Sequence, residues 1–526
     1  MLGSARRWRV GERLDSWKDI AAYLGRDLRT VQRWESERRL PVHRLPGGDR
    51  PRVYALPSEL DAWLRSSPAE DREPASVAVL PFVNLTADKE SEYFGDGLAD
   101  EVINALTRIP GLRVTARTSS FAFRSKEQDV REIGARLGAL ALLEGSVRRQ
   151  QNRVRVSAQL VSAADGFHLW SESYDRELSD IFAIQDELAR SIALALKIRL
   201  APAPLVERMT DDLEAYGLWL KGRCLGVRYT PEAVAGARQC FEAAIARDPS
   251  FPLPYMALAQ LLFEAAQYIL APAAEARRAK QAVLKALALN DRLGEAYALL
   301  GTLEGILEYD WTSAERAFER AFELSPGSST VLAQHAWYFL VPKLRIGEAV
   351  EELRHAIALD PLSPFLHSKL ALALTAAREY DSAAEEGRAA VALAPALWWP
   401  HWMLCGALTF QGRGDEAVAE GRLAGEIYGA PGVVAGMCLV YGLLGRADEA
   451  RQCFTQVLEA ARTASVQPLG MAWTYMGIGD ERAFEWLEKA IDARDPAVTH
   501  MPSMPMYDGI RGDPRFRALL AKMGLA

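Results

Sequence analysis

Cysteine and histidine are scarce: five cysteines and seven histidines are spread through 526 residues. No Cys-x-x-Cys spacing occurs, and the cysteines, at 224, 240, 405, 438 and 453, fall in one half of the chain. That excludes a disulfide framework or a zinc cluster readable from spacing, so all five are expected to be reduced core thiols, and no metal is expected. Long apolar runs are missing too. The longest, about 431–445, is shorter than the ~20 residues of a membrane span, and residues 1–10 hold three arginines and no apolar segment, so no secretory signal is read. A cytoplasmic location without membrane contact is the expectation. Gly-x-Ser-x-Gly, His-Glu-x-x-His and kinase catalytic-loop patterns are absent, and the carboxylates follow helix-surface spacing. Gly95-Asp-Gly97 lacks the Lys-Ser/Thr of a phosphate loop and carries Asp96 and Asp100 where an anion would be repelled, which makes it a structural turn. The chain is therefore read as non-enzymatic, with no cofactor.

What is present, over more than half the length, is a repeat. Ala314, Phe318 and Ala321, followed by Pro326, set a pattern of small, bulky, small and breaker that recurs at Ala237, Ala279, Ala349, Ala383, Ala417, Ala450 and Ala483. Successive first members are 42, 35, 35, 34, 34, 33 and 33 residues apart. Small residues let a neighbouring helix approach, the bulky one fills the gap, and proline ends the helix for want of an N–H. This period and its alanine-rich helix resemble the tetratricopeptide repeat, which implies eight stacked helical pairs from about 212 to 495, an array over 212–500 and a capping helix at 506–526. The long step after Ala237 implies an extra segment near 267–275.

Charge is unevenly placed. Residues 1–73 carry 15 Lys/Arg against 12 Asp/Glu, whereas the remainder carries 47 against 57; within 26–52 there are eight arginines and four acids. Ser16-Trp-Lys-Asp19 reads as a capping box opening a helix to about Leu24. Asp27 can cap a second helix, about 28–38, and Gly47-Gly48 centres a hairpin between alternating residues. Trp17 to Gly25, Thr30 to Glu35 and Leu40 to Arg44 resemble the winged helix-turn-helix of MerR-type regulators and phage excisionases, over a domain of 14–65. The resemblance implies double-stranded DNA as partner, with Arg29, Thr30, Gln32 and Arg33 reading bases in the major groove and Arg44, Arg50 and Arg52 in the wing. The bland alternative is a solvated arginine-rich face with Glu35 and Glu37 pairing locally.

A polar, proline-punctuated linker at 66–75 precedes a mixed segment. Val77–Phe82 suits a buried strand and 97–107 a helix. Val154, Val156, Ala158 and Leu160 alternate with polar residues as in a half-exposed strand. The phrases Val77–Leu85, Tyr93–Leu98, Leu143–Arg148 and Asp180–Asp186 together resemble the TolB amino-terminal-like domain, which implies an α/β domain at 76–200. The fold class expected is thus multidomain: a small winged helix-turn-helix, an α/β domain and an all-α tetratricopeptide superhelix.

Within the array, Trp399 and Trp402, and Phe365 one repeat earlier, fall where tetratricopeptide proteins line their concave groove. They are candidates for binding a protein or peptide; inter-repeat core is the competing reading, since both uses draw on aromatic dispersion. The expected function is a cytoplasmic DNA-binding transcriptional regulator with a repeat body that binds a protein or effector, as a homodimer on paired half-sites. The alternative is a non-enzymatic signalling scaffold whose helix-turn-helix binds protein.

Overall fold

The computed structural model describes all residues except 1–12, 15, 25–30, 32–34, 36–39, 46–51, 58, 61–74, 87–91, 110, 125–127, 151, 199–204, 228–229, 268–274, 429–430 and 463–465. Residues 1–74 and 75–526 form two separate units. In the first, Asp19 N–H donates to Ser16 Oγ at 3.1 Å and the Ser16 hydroxyl donates to the Asp19 carboxylate at 2.7 Å, capping α1 (Trp17–Leu24). Strands β1 (His43–Leu45) and β2 (Arg52–Tyr54) pair antiparallel with His43 opposite Tyr54, and Leu14 bridges Ala55. Ile20, Val31, Leu40, Val53 and Leu60 close a small core among them. The expected second helix, apart from Val31 and Glu35, and the turn at Gly47-Gly48 lie outside the described residues, as do the linker from 66 to 74 and the extra segment at 268–274.

The second unit begins with a mixed sheet. Strands β3 (Ala75–Val79), β4 (Val83–Asn84), β5 (Leu112–Val114), β6 (Ala141–Gln150), β7 (Arg153–Ser162) and β8 (His168–Glu177) take the order β5-β3-β6-β7-β8, with β4 paired to β6. β3 runs parallel to β5 and β6, while β6–β7 and β7–β8 are antiparallel. Alternation sorts the faces as the period of two requires. Val77 and Val79 face the main core with α2 (Glu92–Thr107) and, after the short α3 (Arg117–Phe121) and α4 (Val130–Leu137), with α5 (Ile181–Ala195). Ala78 and Leu80 face a smaller core with Ile133 and Leu137 of α4.

The expected turn at Gly95-Asp-Gly97 is corrected by the structure. Both glycines lie inside α2, where a Cβ at Gly95 would sit 2.5 Å from the Phe82 carbonyl oxygen and one at Gly97 2.4 Å from the Leu220 side chain. Close approach of neighbouring elements, rather than a turn, is what those glycines permit.

The rest is the repeat array, eight helical pairs among the described residues. They are α6 (Leu213–Gly226) with α7 (Pro231–Arg247), α8 (Pro252–Gln267) with α9 (Glu275–Leu289), α10 (Gly294–Leu303) with α11 (Trp311–Leu324), and α12 (Ser329–His335) with α13 (Ile346–Leu359). Then come α14 (Pro364–Ala376) with α15 (Tyr380–Leu393), α16 (Trp398–Gln411) with α17 (Gly414–Tyr428), α18 (Pro431–Leu443) with α19 (Ala447–Ala460), and α20 (Pro468–Gly477) with α21 (Ala483–Asp492). Ala314, Phe318 and Ala321 are buried, as are the matching residues of the other pairs, Phe454 alone being partly open. Helices α10 and α12 each run on into a π-helical turn, Glu304–Glu308 and Ala336–Leu340.

Two long-range sets of contacts shape the array. Its end returns to the middle: Trp311 Nε1 donates to the Met523 carbonyl at 2.7 Å beside α22 (Pro514–Lys522), and His500 stacks on Trp337 at 4.1 Å while its Nε2 donates to the Trp337 carbonyl. The α/β region docks on the array through α2 and α3. Arg223 of α6 pairs with Asp100 at 2.8 Å, Ala116 N–H donates to the Leu359 carbonyl, and Ser119 donates to Asp360 through both its N–H (2.9 Å) and its hydroxyl (2.5 Å). One cysteine expectation is corrected. Cys438 and Cys453, on the two helices of the seventh pair with Cα atoms 5.4 Å apart, form a disulfide, leaving Cys224, Cys240 and Cys405 free. Antiparallel packing brings together thiols whose 15-residue separation carries no recognisable spacing.

Candidate partner-binding groove

Between α14, α16, α18 and α20, the first helices of successive pairs, and the segment from Asp495 to Tyr507 lies a cavity of about 380 Å³. Ser363 accepts from Leu366 N–H and Pro364 fills the first helical position, so α14 starts where Phe365 and Lys369, one turn apart, both reach the groove. Trp398, Trp402, Trp473 and Phe410 add further wall. Consecutive Trp337 and Tyr338, on the π-helical turn, line it as well. Gly436 gives Trp402 its place, since a Cβ there would lie 2.5 Å from the indole.

The three sequence candidates differ in their surroundings. Trp399 is buried, tilted against Phe365 with ring centroids 5.2 Å apart and edge-on to Trp398 at 6.4 Å. Trp402 and Phe365 are half-buried on the cavity wall. His401, in the same Trp-Trp-Pro-His-Trp run, is structural: its Nε2 donates to the Pro395 carbonyl at 3.0 Å and its Nδ1 meets Glu420 at 2.6 Å. His367 repeats that clip with Pro361 (3.0 Å) and Glu386 (2.6 Å). Burial alone would depress the His367 pKa, but Glu386 and the Pro361 carbonyl outweigh it and raise it.

Sequence reasoning missed Lys369, Trp337, Tyr338 and Trp473. The available signal was Lys369 itself, a lone cation in the apolar run Pro364–Ala376. Burial pushes its ammonium down to about 7, partly opposed by Glu264. Nζ lies 3.4 Å from the Tyr338 hydroxyl and 4.4 Å from the centroid of that ring.

Of the DNA-contact candidates, Arg29, Thr30, Gln32, Arg33 and Arg50 lie outside the described residues. Arg52 stands in β2 opposite Leu45. Arg44 is exposed on β1 and pairs with Glu35 at 2.7 Å.

No family model matches the chain. Over 186 residues it is 40% identical to "Putative adenylate cyclase 3" of Rhizobium meliloti (strain 1021), an alignment covering 35% of this chain and 32% of that protein. The chain thus spans about a third of that relative's length. This corrects the expectation of a non-enzymatic chain: the curated protein it resembles carries an enzyme's name. Among solved structures, a human IFIT1 dimer with m7Gppp-AAAA is similar at 17% identity and a TM-score of 0.41, covering 60% of this chain and 78% of that one. YrrB, described as a TPR protein with an unusual peptide-binding site, is similar at 19% identity and a TM-score of 0.24, covering 36% and 91%. Among the described residues no helix is long and apolar enough to cross a membrane.

Proposed function

We propose that the repeat body captures an apolar anchor of a partner protein in the aromatic cavity, and that the N-terminal unit contacts double-stranded DNA, making the chain a cytoplasmic regulator that couples the two. The observation that carries the first half is the cavity itself: walled by tryptophans from the fourth, sixth and eighth pairs, and partly open at Trp402 and Phe365. Rigid aromatic surface of this kind supplies contact area at little entropy cost and dominates the energetics of most interfaces.

The DNA half is supported by the capped α1, the β1–β2 hairpin, the small core that joins them and the arginine excess within 26–52. On this reading Arg29, Thr30, Gln32 and Arg33 face the major groove of a MerR- or excisionase-like module, with Arg44, Arg50 and Arg52 on its wing. Exchanging the Arg44–Glu35 pair, exposed on its arginine side, for a phosphate costs little, since surface pairs are worth about 0–1 kcal/mol. The α/β region, with its TolB amino-terminal-like phrases, transmits between groove and module, and two copies bind paired half-sites. A mobility shift with random duplex at two salt concentrations tests this half: binding that weakens steeply with salt is expected, and salt-independent or absent binding refutes it.

A second reading is favoured by the 40% identity to the cyclase-named protein: the chain takes part in forming cyclic AMP. Incubation of the full chain with ATP and a divalent cation, followed by chromatography for the cyclic product, decides it.

A further inference from the structure

A second, larger cavity of about 970 Å³ lies between the α/β region and the array, distinct from the aromatic one but sharing Lys369, Tyr338 and Phe365 with it. Its walls come from both sides. Tyr93, Arg117, Phe121 and Arg124 belong to the α/β region; Lys221, Phe263 and Lys369 belong to the array. The hydrogen bonds from Ser119 to Asp360 hold α3 over the cavity, and the Ser119 hydroxyl also accepts from Leu362 N–H at 2.7 Å.

The charges lining it are unequally satisfied. Arg124 pairs with Asp96, Arg117 reaches Asp100 at 3.7 Å, and Glu264 accepts from Gln260 Nε2 at 2.6 Å. Asp360 is occupied by Ser119. Among the described residues, however, no carboxylate lies within ion-pair distance of Lys369 Nζ, whose neighbours are the Tyr338 hydroxyl and ring and, at 6.0 Å, the Trp337 ring. Burial raises the pKa of both Glu264 and Asp360. What remains, besides the exposed Lys221, is the half-buried Lys369 ammonium on the cavity wall with no carboxylate in ion-pair contact, and ring surfaces beside it. An anion there recovers the charge-assisted bond that the fold leaves unmade.

We infer that this cavity binds a small aromatic acid, its carboxylate on Lys369 and its ring against Phe263, Phe365 and Tyr338. Because both sides of the docked interface line the cavity, the ligand also tightens the seat of the α/β region on the array. The size suits a small molecule: ligand cavities run at about 300–1,000 Å³.

The test is calorimetric titration of the full chain with indole-3-acetate, and with indole-3-acetamide as the uncharged control. The expected result is saturable 1:1 binding of the acid and at least tenfold weaker binding of the amide, in line with loss of a bond to a charged group. Lys369→Met should weaken the acid by roughly tenfold or more while leaving the amide unchanged. Absence of acid binding at millimolar concentration, equal binding of acid and amide, or an unchanged affinity in K369M each overturns the inference. The acid-amide comparison needs no variant, so it stands even if K369M folds poorly. Trp402→Ala, which alters the aromatic cavity alone, should leave acid binding intact, which separates this inference from the partner-anchor reading.

Discussion

One methyl group at Gly477 should force a pair of helices apart. Helices α18 and α20 cross where Gly442 and Gly477 meet, and a Cβ on Gly477 would lie 2.2 Å from the Cys438 carbonyl oxygen and 2.5 Å from its carbonyl carbon. Both are backbone atoms of α18, so no rotamer change relieves the clash. The helices would have to separate by roughly 1 Å to restore ordinary contact near 3.5 Å. Overpacking of that kind costs about 1–3 kcal/mol, against which replacing a helical glycine by alanine returns about 0.5–1 kcal/mol. The net expectation for Gly477→Ala is a loss of about 1–2 kcal/mol. Gly406 is the internal control: it sits in α16, and a Cβ added there would meet nothing within 4 Å, so Gly406→Ala should be neutral or stabilising. Thermal melts of both variants, with hydrogen exchange on the α18 and α20 amides, give the comparison. If Gly477→Ala melts at or above Gly406→Ala, the reasoning about that crossing is wrong.

Other outcomes follow from the same contacts. Trp399→Ala should cost about 3–5 kcal/mol, as buried Trp deletions do, and half-buried Trp402→Ala distinctly less, measured by denaturant melts. Glu101, raised to about 7 by burial, with Arg223 the main opposing influence, binds a proton in the folded chain that the unfolded chain releases above about 4.5. Its contribution is therefore full below that point and is lost as pH rises through about 7. Glu101→Gln should flatten the fall in melting temperature over that window. Alkylation of denatured, unreduced protein should modify the three free cysteines, and all five after reduction; closing a 15-residue loop predicts a loss of roughly 3 kcal/mol on reduction.

The array was legible because its signal repeats. Ala314, Phe318 and Ala321 are buried, and an alanine at the first position recurs in each pair, although the middle position is glycine at Gly387 and Gly421. Strand β7 was legible for a similar reason, its alternation being forced by one buried face. What escaped were features set by distant stretches of the chain. The α3 helix looks like an unremarkable polar segment until Ser119 meets Asp360, 241 residues away. Gly97 reads as a turn residue until Leu220 presses on it. Trp337 and Tyr338 lie on a π-helical turn with no local motif, and the Cys438–Cys453 link rests on helix pairing rather than spacing. Trp399 and Trp402 were placed at the groove by their repeat position, but only packing separates the buried ring from the half-buried one.

The most direct test of the central claim, that the aromatic cavity holds a partner's apolar anchor, is peptide selection on the full chain. A random displayed library is panned against the wild type, and the affinity of an enriched peptide is then measured by fluorescence anisotropy on the wild type and on Trp402→Ala, with melts confirming that the variant stays folded. The account predicts enrichment of peptides carrying a large apolar or aromatic residue, and an affinity at least tenfold weaker on Trp402→Ala, as expected when a central aromatic anchor of an interface is truncated. Failure to enrich any such peptide, or equal affinity on the two proteins, would contradict it.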